Sequence, residues 1–226
     1  NQLARNLQQS LAAHQGRLPP LEKAVTDMLE SEMLVEALEV GTRGATLKAT
    51  RLGRIAVRQM LAPSTVVSLA SALRTAEAGR LTFFDILLLC SQTDDCEPRI
   101  PVDFEELEDL SACLSDERST LLKGSHGEVQ ERLGLGGRRL LTTIKTALVV
   151  RAWTRRGLVG EVADTFGCYA FEVRRLTESI ERILTAAVAV LTPPKEQSLE
   201  AGEVAPHVTL GDGPSLPERV RALASM

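Results

Sequence analysis

Apolar positions recur along the chain at steps of three and four, and the clearest run lies between Tyr169 and Leu191. Val173, Leu176, Ile180, Ile183, Ala187 and Val190 form one continuous stripe, which predicts a long helix with one face in a core. Arg175, Glu178 and Arg182 repeat at the same spacing on another face, so two guanidinium groups stand one above the other. The seven steps between those arginines cover roughly 10 Å of helix, a reach that suits about two or three nucleotides of a single strand. Thr192-Pro193-Pro194 stops the pattern, because proline lacks the N–H and restrains the residue before it.

The same reading predicts the other elements. Leu3 to His14 carries Leu3, Leu7 and Leu11 on one face, and Pro19-Pro20 opens a second helix with Leu21, Val25, Met28 and Leu29 inward. Leu34–Val40 and Ala45–Thr50 flank Gly41-Thr42-Arg43-Gly44, which predicts a β-hairpin. Thr50 is placed to cap a helix bearing Leu52, Ile55, Ala56 and Met60, closed by Pro63. Helix, hairpin and helix in this order read as a winged-helix module.

Ser64 then caps a helix to Ala76, with Val66, Val67, Leu69, Ala70 and Leu73 inward. Thr82–Gln92 is nearly all apolar and predicts a buried helix. A short helix over Val102–Leu114 follows, with weaker helical signals at Thr120–Leu122 and Glu128–Leu133. After the Gly134-Leu135-Gly136-Gly137 break come a strong helix over Arg138–Arg156, a short one over Leu158–Phe166 closed by Gly167, and the long helix.

The expected architecture is therefore mainly α: a winged-helix module with a small β-hairpin over residues 1–62, then a multi-helix bundle over residues 63–192. Residues 193–214 are Gly/Pro-rich and polar, a linker, and residues 215–226 begin a further helical module. The chain opens at Asn1 and ends at Met226 on an unfinished helix, which suggests a piece of a longer protein.

Charge changes this picture in one respect. The net charge of −4 argues against a protein that coats nucleic acid by bulk basicity. Its distribution is uneven, with ten acids and one base, Arg99, between Asp94 and Glu117. Bases gather elsewhere: Lys48, Arg51, Arg54 and Arg58; Arg138, Arg139 and Lys145; Arg151, Arg155 and Arg156; Arg174, Arg175 and Arg182. Such segregation would keep a polyanion on one side of the fold; the plainer reading is a set of solvated helix faces. Aromatic residues are only 3%, so Leu, Val, Ile and Ala must fill the core.

Candidate chemistry is sparse. Cys90, Cys96, Cys113 and Cys168 show no C-x-x-C spacing and read as reduced thiols of a cytoplasmic protein, with Cys90 and Cys113 on buried helix faces. No signal peptide is visible, and Leu81–Cys90 is too short to span a bilayer. Gly41–Lys48 lacks the second glycine–lysine step of a phosphate loop, and Gly134–Gly137 reads as a plain loop. His14, His126 and His207 lie far apart, with no acid–nucleophile arrangement around them. No catalytic or metal-ligating residue is expected in this stretch.

Several motifs in order resemble the C-terminal part of superfamily 2 DExH-box DNA helicases, of the archaeal fork-repair type related to the helicase portion of DNA polymerase theta. Ala49-Thr50-Arg51-Leu52-Gly53-Arg54 with Pro63 is similar to the end of that family's winged helix. Lys145-Thr146-Ala147-Leu148 with Trp153 resembles a helix of its seven-helix domain, and Glu172-Val173-Arg174-Arg175 the start of its last long helix, the ratchet. Leu216-Pro217-Glu218-Arg219-Val220 is similar to the start of its helix-hairpin-helix module. The resemblance covers about residues 1–191.

The resemblance implies that Arg175 grips the translocating strand. Where the family has a base-stacking tryptophan, this chain has Arg182, whose guanidinium plane can itself stack on a base. Arg174 and Lys145 join them as candidate nucleic-acid ligands, Arg174 pointing further from the strand. It also implies ATP- and Mg-binding motor domains upstream, making the parent an ATP-dependent helicase and ATP hydrolase of DNA repair. This stretch would hold single-stranded or forked DNA, or RNA, as a monomer, with a steep salt dependence. Two other readings stay open: a winged-helix transcription regulator with a helical dimerisation domain, and a protein-interaction module docking through the acidic segment 94–117. Trp153 reads as core, and the Arg51/Arg54/Arg58 face as structural rather than groove-reading.

Overall fold

The computed structural model describes residues 20–38, 45–75, 81–117, 119–122 and 137–192, with residue 9 and residues 14–16 besides. Among them the fold is mainly α, with eight α-helices and a two-stranded antiparallel hairpin. The helix expected over Leu3–His14, apart from residues 9 and 14, the Gly41–Gly44 turn, the segment Glu128–Leu133 and everything from Pro193 lie outside the described residues.

Helix α1 (Leu21–Glu30) starts behind Pro20. Strands β1 (Leu34–Leu38) and β2 (Ala45–Ala49) pair antiparallel with Leu34 opposite Ala49 and Leu38 opposite Ala45. Thr50 caps α2 (Arg51–Gln59), accepting the Gly53 N–H at 3.1 Å, while its own N–H donates to the Met33 carbonyl at 3.0 Å. This junction explains Gly53. A Cβ there would meet the Met33 carbonyl oxygen at 2.1 Å, so only glycine lets the start of α2 lie against the backbone before β1.

Two helix boundaries differ from the sequence expectation. Helix α2 ends at Met60 in a left-handed conformation, and Pro63 opens α3 (Pro63–Thr75) instead of closing α2. Proline at a first helical position loses an N–H that would have no partner there anyway. Ser64 is consequently inside the first turn, and the Ala62 N–H is taken by the Asp95 carboxylate at 2.7 Å.

Helix α4 (Phe83–Gln92) starts one residue later than expected, because Thr82 is its cap, in a reciprocal box with Asp85. The acidic segment forms a 3-10 turn (Phe104–Glu106) and α5 (Leu107–Ser115), whereas Thr120–Leu122 makes a turn and no helix. Then come α6 (Arg138–Arg156), α7 (Val159–Thr165) and α8 (Ala170–Leu191).

Helix α8 is the hub, packed against α2, α3, α4, α6 and α7. Val173, Leu176, Ile180, Ile183, Ala187 and Val190, the stripe read from the sequence, are all buried. Each large aliphatic side chain so removed from water contributes about 1.5–3 kcal/mol. Met33, Ile55 and Ala56 from the hairpin unit belong to the same core as the bundle, so the two units are packed together, not strung on a linker. The joint has a polar lock. The Arg51 guanidinium donates to the carbonyls of Ala189, Val190 and Thr192, satisfying groups that a helix C-terminus leaves without partners.

Candidate functional site

A groove of about 850 Å³ runs along the solvent side of α8. Its floor is Phe171, Glu172, Arg175, Glu178, Ser179, Glu181 and Arg182, and its far wall is the loop after α4, through Asp94, Asp95, Glu97 and Pro98. The aliphatic back of the helix fixes the direction of this face. With the stripe from Val173 to Val190 in the core, positions 171, 175, 178 and 182 must face outward. Arg175 and Arg182 thus share one groove. Among the described residues no ion pair or hydrogen bond engages either guanidinium, nor does the Glu178–Arg182 pair close within 4.0 Å.

The wall is held by specific bonds. The Ser179 hydroxyl donates to the Glu97 carbonyl at 2.6 Å, tying the loop to the helix. Asp94 accepts from the Ser64 hydroxyl at 2.9 Å and Asp95 from the Ala62 N–H, so both carboxylates sit at the start of α3, where the helix dipole favours negative charge. Arg139 lies 4.0 Å from Asp94 at the same wall. Glu172 reaches back to accept the Tyr169 N–H at 2.8 Å and fixes the first turn of α8.

The other two candidates do not join the groove. Arg174 is exposed but lies outside its lining. Lys145 is corrected more sharply: it is 2% exposed, and its ammonium lies 2.5 Å from the Glu106 carboxylate. A lysine buried in such a pair is out of reach of a phosphate in the groove. Its apolar surroundings on α6, with Ile144, Leu148 and Val149 buried beside it, were the signal for an interior position.

Several expected basic faces are likewise occupied from within. Arg151 and Arg155 both bind Glu117, at 3.0 and 2.8 Å, and Arg151 also lies over the Phe83 ring at 4.5 Å from its centroid. Arg54 donates to the Ala49 carbonyl at 2.8 Å. Trp153 packs against the core, half-buried. All four cysteines are free; burial pushes the Cys90 and Cys96 thiols up, Cys96 to about 12, while Cys113 is only half-buried.

Two features of the groove were not read from the sequence. The first is its acid content: six carboxylates line it against two guanidinium groups. Charges separated along the chain are brought together by the loop after α4. The second is an aromatic pair at one mouth, Tyr169 and Phe171, with ring centroids 5.7 Å apart. Phe171 precedes Arg175 by four residues and so falls on the polar face, where an aromatic is out of pattern; that was the available signal.

Among the described residues no cluster of His, Cys, Asp and Glu is arranged to hold a metal ion, and no helix is long and apolar enough to cross a membrane. No family model matches the chain, nor does any curated protein.

Proposed function

We propose that this chain is a nucleic-acid-holding accessory region of an ATP-dependent DExH-box helicase, in which α8 grips a single strand while motor domains of the same polypeptide supply the stepping. The observation that carries the reading is the pairing of Arg175 and Arg182: two guanidinium groups without partners among the described residues, on one groove face of a helix whose back is locked in the core. The helix backbone is ordered before anything binds, because its back is locked in the core, so contact with phosphates and bases orders only the two arginine side chains. The helix–hairpin–helix unit, docked through Arg51 onto the C-terminal end of α8, fits a part that holds this helix in register with neighbouring domains.

The acidic lining favours a second reading, a protein-interaction module that takes a cationic segment. The two readings part at low salt. Arg175→Ala with Arg182→Ala should weaken single-strand binding at least tenfold while leaving the melting temperature unchanged. Absence of any single-strand binding by the unaltered chain would favour the interaction module.

A further inference from the structure

Only two of the aromatic side chains described are exposed, and they are stacked on one another. Tyr169 is 70% and Phe171 61% exposed, their planes inclined by 18°. The remaining described rings are accounted for: Phe84 and Phe166 are buried, Phe83 lies under Arg151, and Trp153 packs on the core. In a chain with so few aromatics, the two exposed rings among those described stand together, and Phe171 lines the groove.

We infer that the Tyr169–Phe171 stack is a platform for unpaired bases, so that a single strand in the Arg175/Arg182 groove is held through its bases more than through its phosphates. This deepens the strand-holding reading above and rests on it. Three observations carry it. Phe171 lines the same groove as both arginines, one helical turn before Arg175. The Glu172 carboxylate, by holding the Tyr169 N–H, fixes the backbone from which both rings project. Eleven residues separate Phe171 from Arg182, roughly 16 Å of helix, a span for about three or four nucleotides.

The charge of the groove selects this mode of binding. With six carboxylates against two guanidinium groups, neutralisation of phosphates alone gives a weak grip. Stacking needs no positive potential, because every base offers a flat face, and it is tolerant of sequence. A cationic peptide would gain from the carboxylates but would meet two like-charged guanidinium groups on the groove floor, and it has no flat faces for the ring pair to receive unless it is rich in arginine.

The experiment compares a short oligothymidylate with an abasic strand of equal length and charge, using the full chain at low salt. The unaltered chain should bind the strand with bases about tenfold or more tightly than the abasic one, as expected from the stacking of one base. Tyr169→Ala with Phe171→Ala should bring the two affinities together, and Tyr169→Phe with Phe171→Tyr should retain the difference. Equal affinity of the unaltered chain for both strands overturns the platform while leaving the grip of Arg175 and Arg182 standing. A base preference that survives the double alanine variant also overturns it. Binding of neither strand, with tight binding of an arginine-rich peptide instead, overturns both the platform and the strand reading beneath it.

Discussion

The Ser179 hydroxyl donates to the Glu97 carbonyl at 2.6 Å, and that bond decides what kind of groove α8 presents. It draws the loop after α4 across the helix face, so that Asp94, Asp95 and Glu97 stand over the same space as Arg175 and Arg182. The segregation of charge seen along the chain is thereby undone in three dimensions. Whatever enters the groove meets both signs, and affinity must come from contacts that tolerate both.

Ser179→Ala removes the bond that holds this wall. Ser179 is buried and the bond itself only partly so, and the loss should be that of an ordinary hydrogen bond, about 1 kcal/mol. For a domain of this size the melting temperature should fall by about 2–4 °C. A calorimetric scan measures this; an unchanged transition would mean that the loop is held by its other bonds to α3.

The lining of the groove also fixes the expected salt dependence. The family resemblance implied a steep one, but only two cations are present in the groove to displace counterions. For a single strand the slope of log K against log salt should then be about −1.4, and Arg175→Ala should reduce its magnitude by about 0.7. Titration at several salt concentrations gives the slope directly. A value several-fold steeper would locate the principal contacts elsewhere on the molecule.

Gly53→Ala tests the joint between the hairpin and α2. The added methyl would stand 2.1 Å from the Met33 carbonyl oxygen, a backbone atom that cannot swing aside. Forcing the two segments apart should cost about 1–3 kcal/mol, read as a lowered urea midpoint. The groove lies on the outward face of α8, which α2 does not cover, so oligonucleotide affinity of the folded variant should be retained.

How much of this was legible in the sequence follows from how local each cause is. The bounds of α6, the Thr50 cap and the stripe of α8 come from spacing and capping within a few residues, and the fold keeps all of them. Pro63 reads from the sequence as the end of α2, since a proline after a helix and a proline opening the next look alike until the Ala62 N–H is seen to bind Asp95. The apolar neighbours of Lys145 point to its burial, but not to its partner, because Glu106 is distant in sequence. The acidic wall of the groove and the Arg51 lock on α8 were hidden for the same reason. Long-range polar pairs leave no periodic trace.

Asp85 provides a pH test of the interior. Its carboxylate is buried, caps α4 through the Thr82 N–H at 2.8 Å, and accepts from the Ser119 hydroxyl and from both the N–H and hydroxyl of Thr120, the hydroxyl at 2.7 Å. Burial pushes its pKa up, but the bonds from Ser119, Thr82 and Thr120 together outweigh that, and the carboxyl titrates below its ordinary 3.8. A folded pKa below the unfolded one means that the ionised form favours folding. The contribution is fully present above about pH 3.8 and is lost as pH falls through the lower, folded value. Stability from this group should therefore rise with pH in that acid window and level off above it. Asp85→Asn should abolish this part of the dependence and lower stability at neutral pH by about 1.5–3 kcal/mol, since an amide N–H₂ would face donors that now meet a carboxylate. Urea unfolding of both proteins across the acid range measures the effect; parallel curves would show that the Ser119–Leu122 turn does not depend on the Asp85 charge.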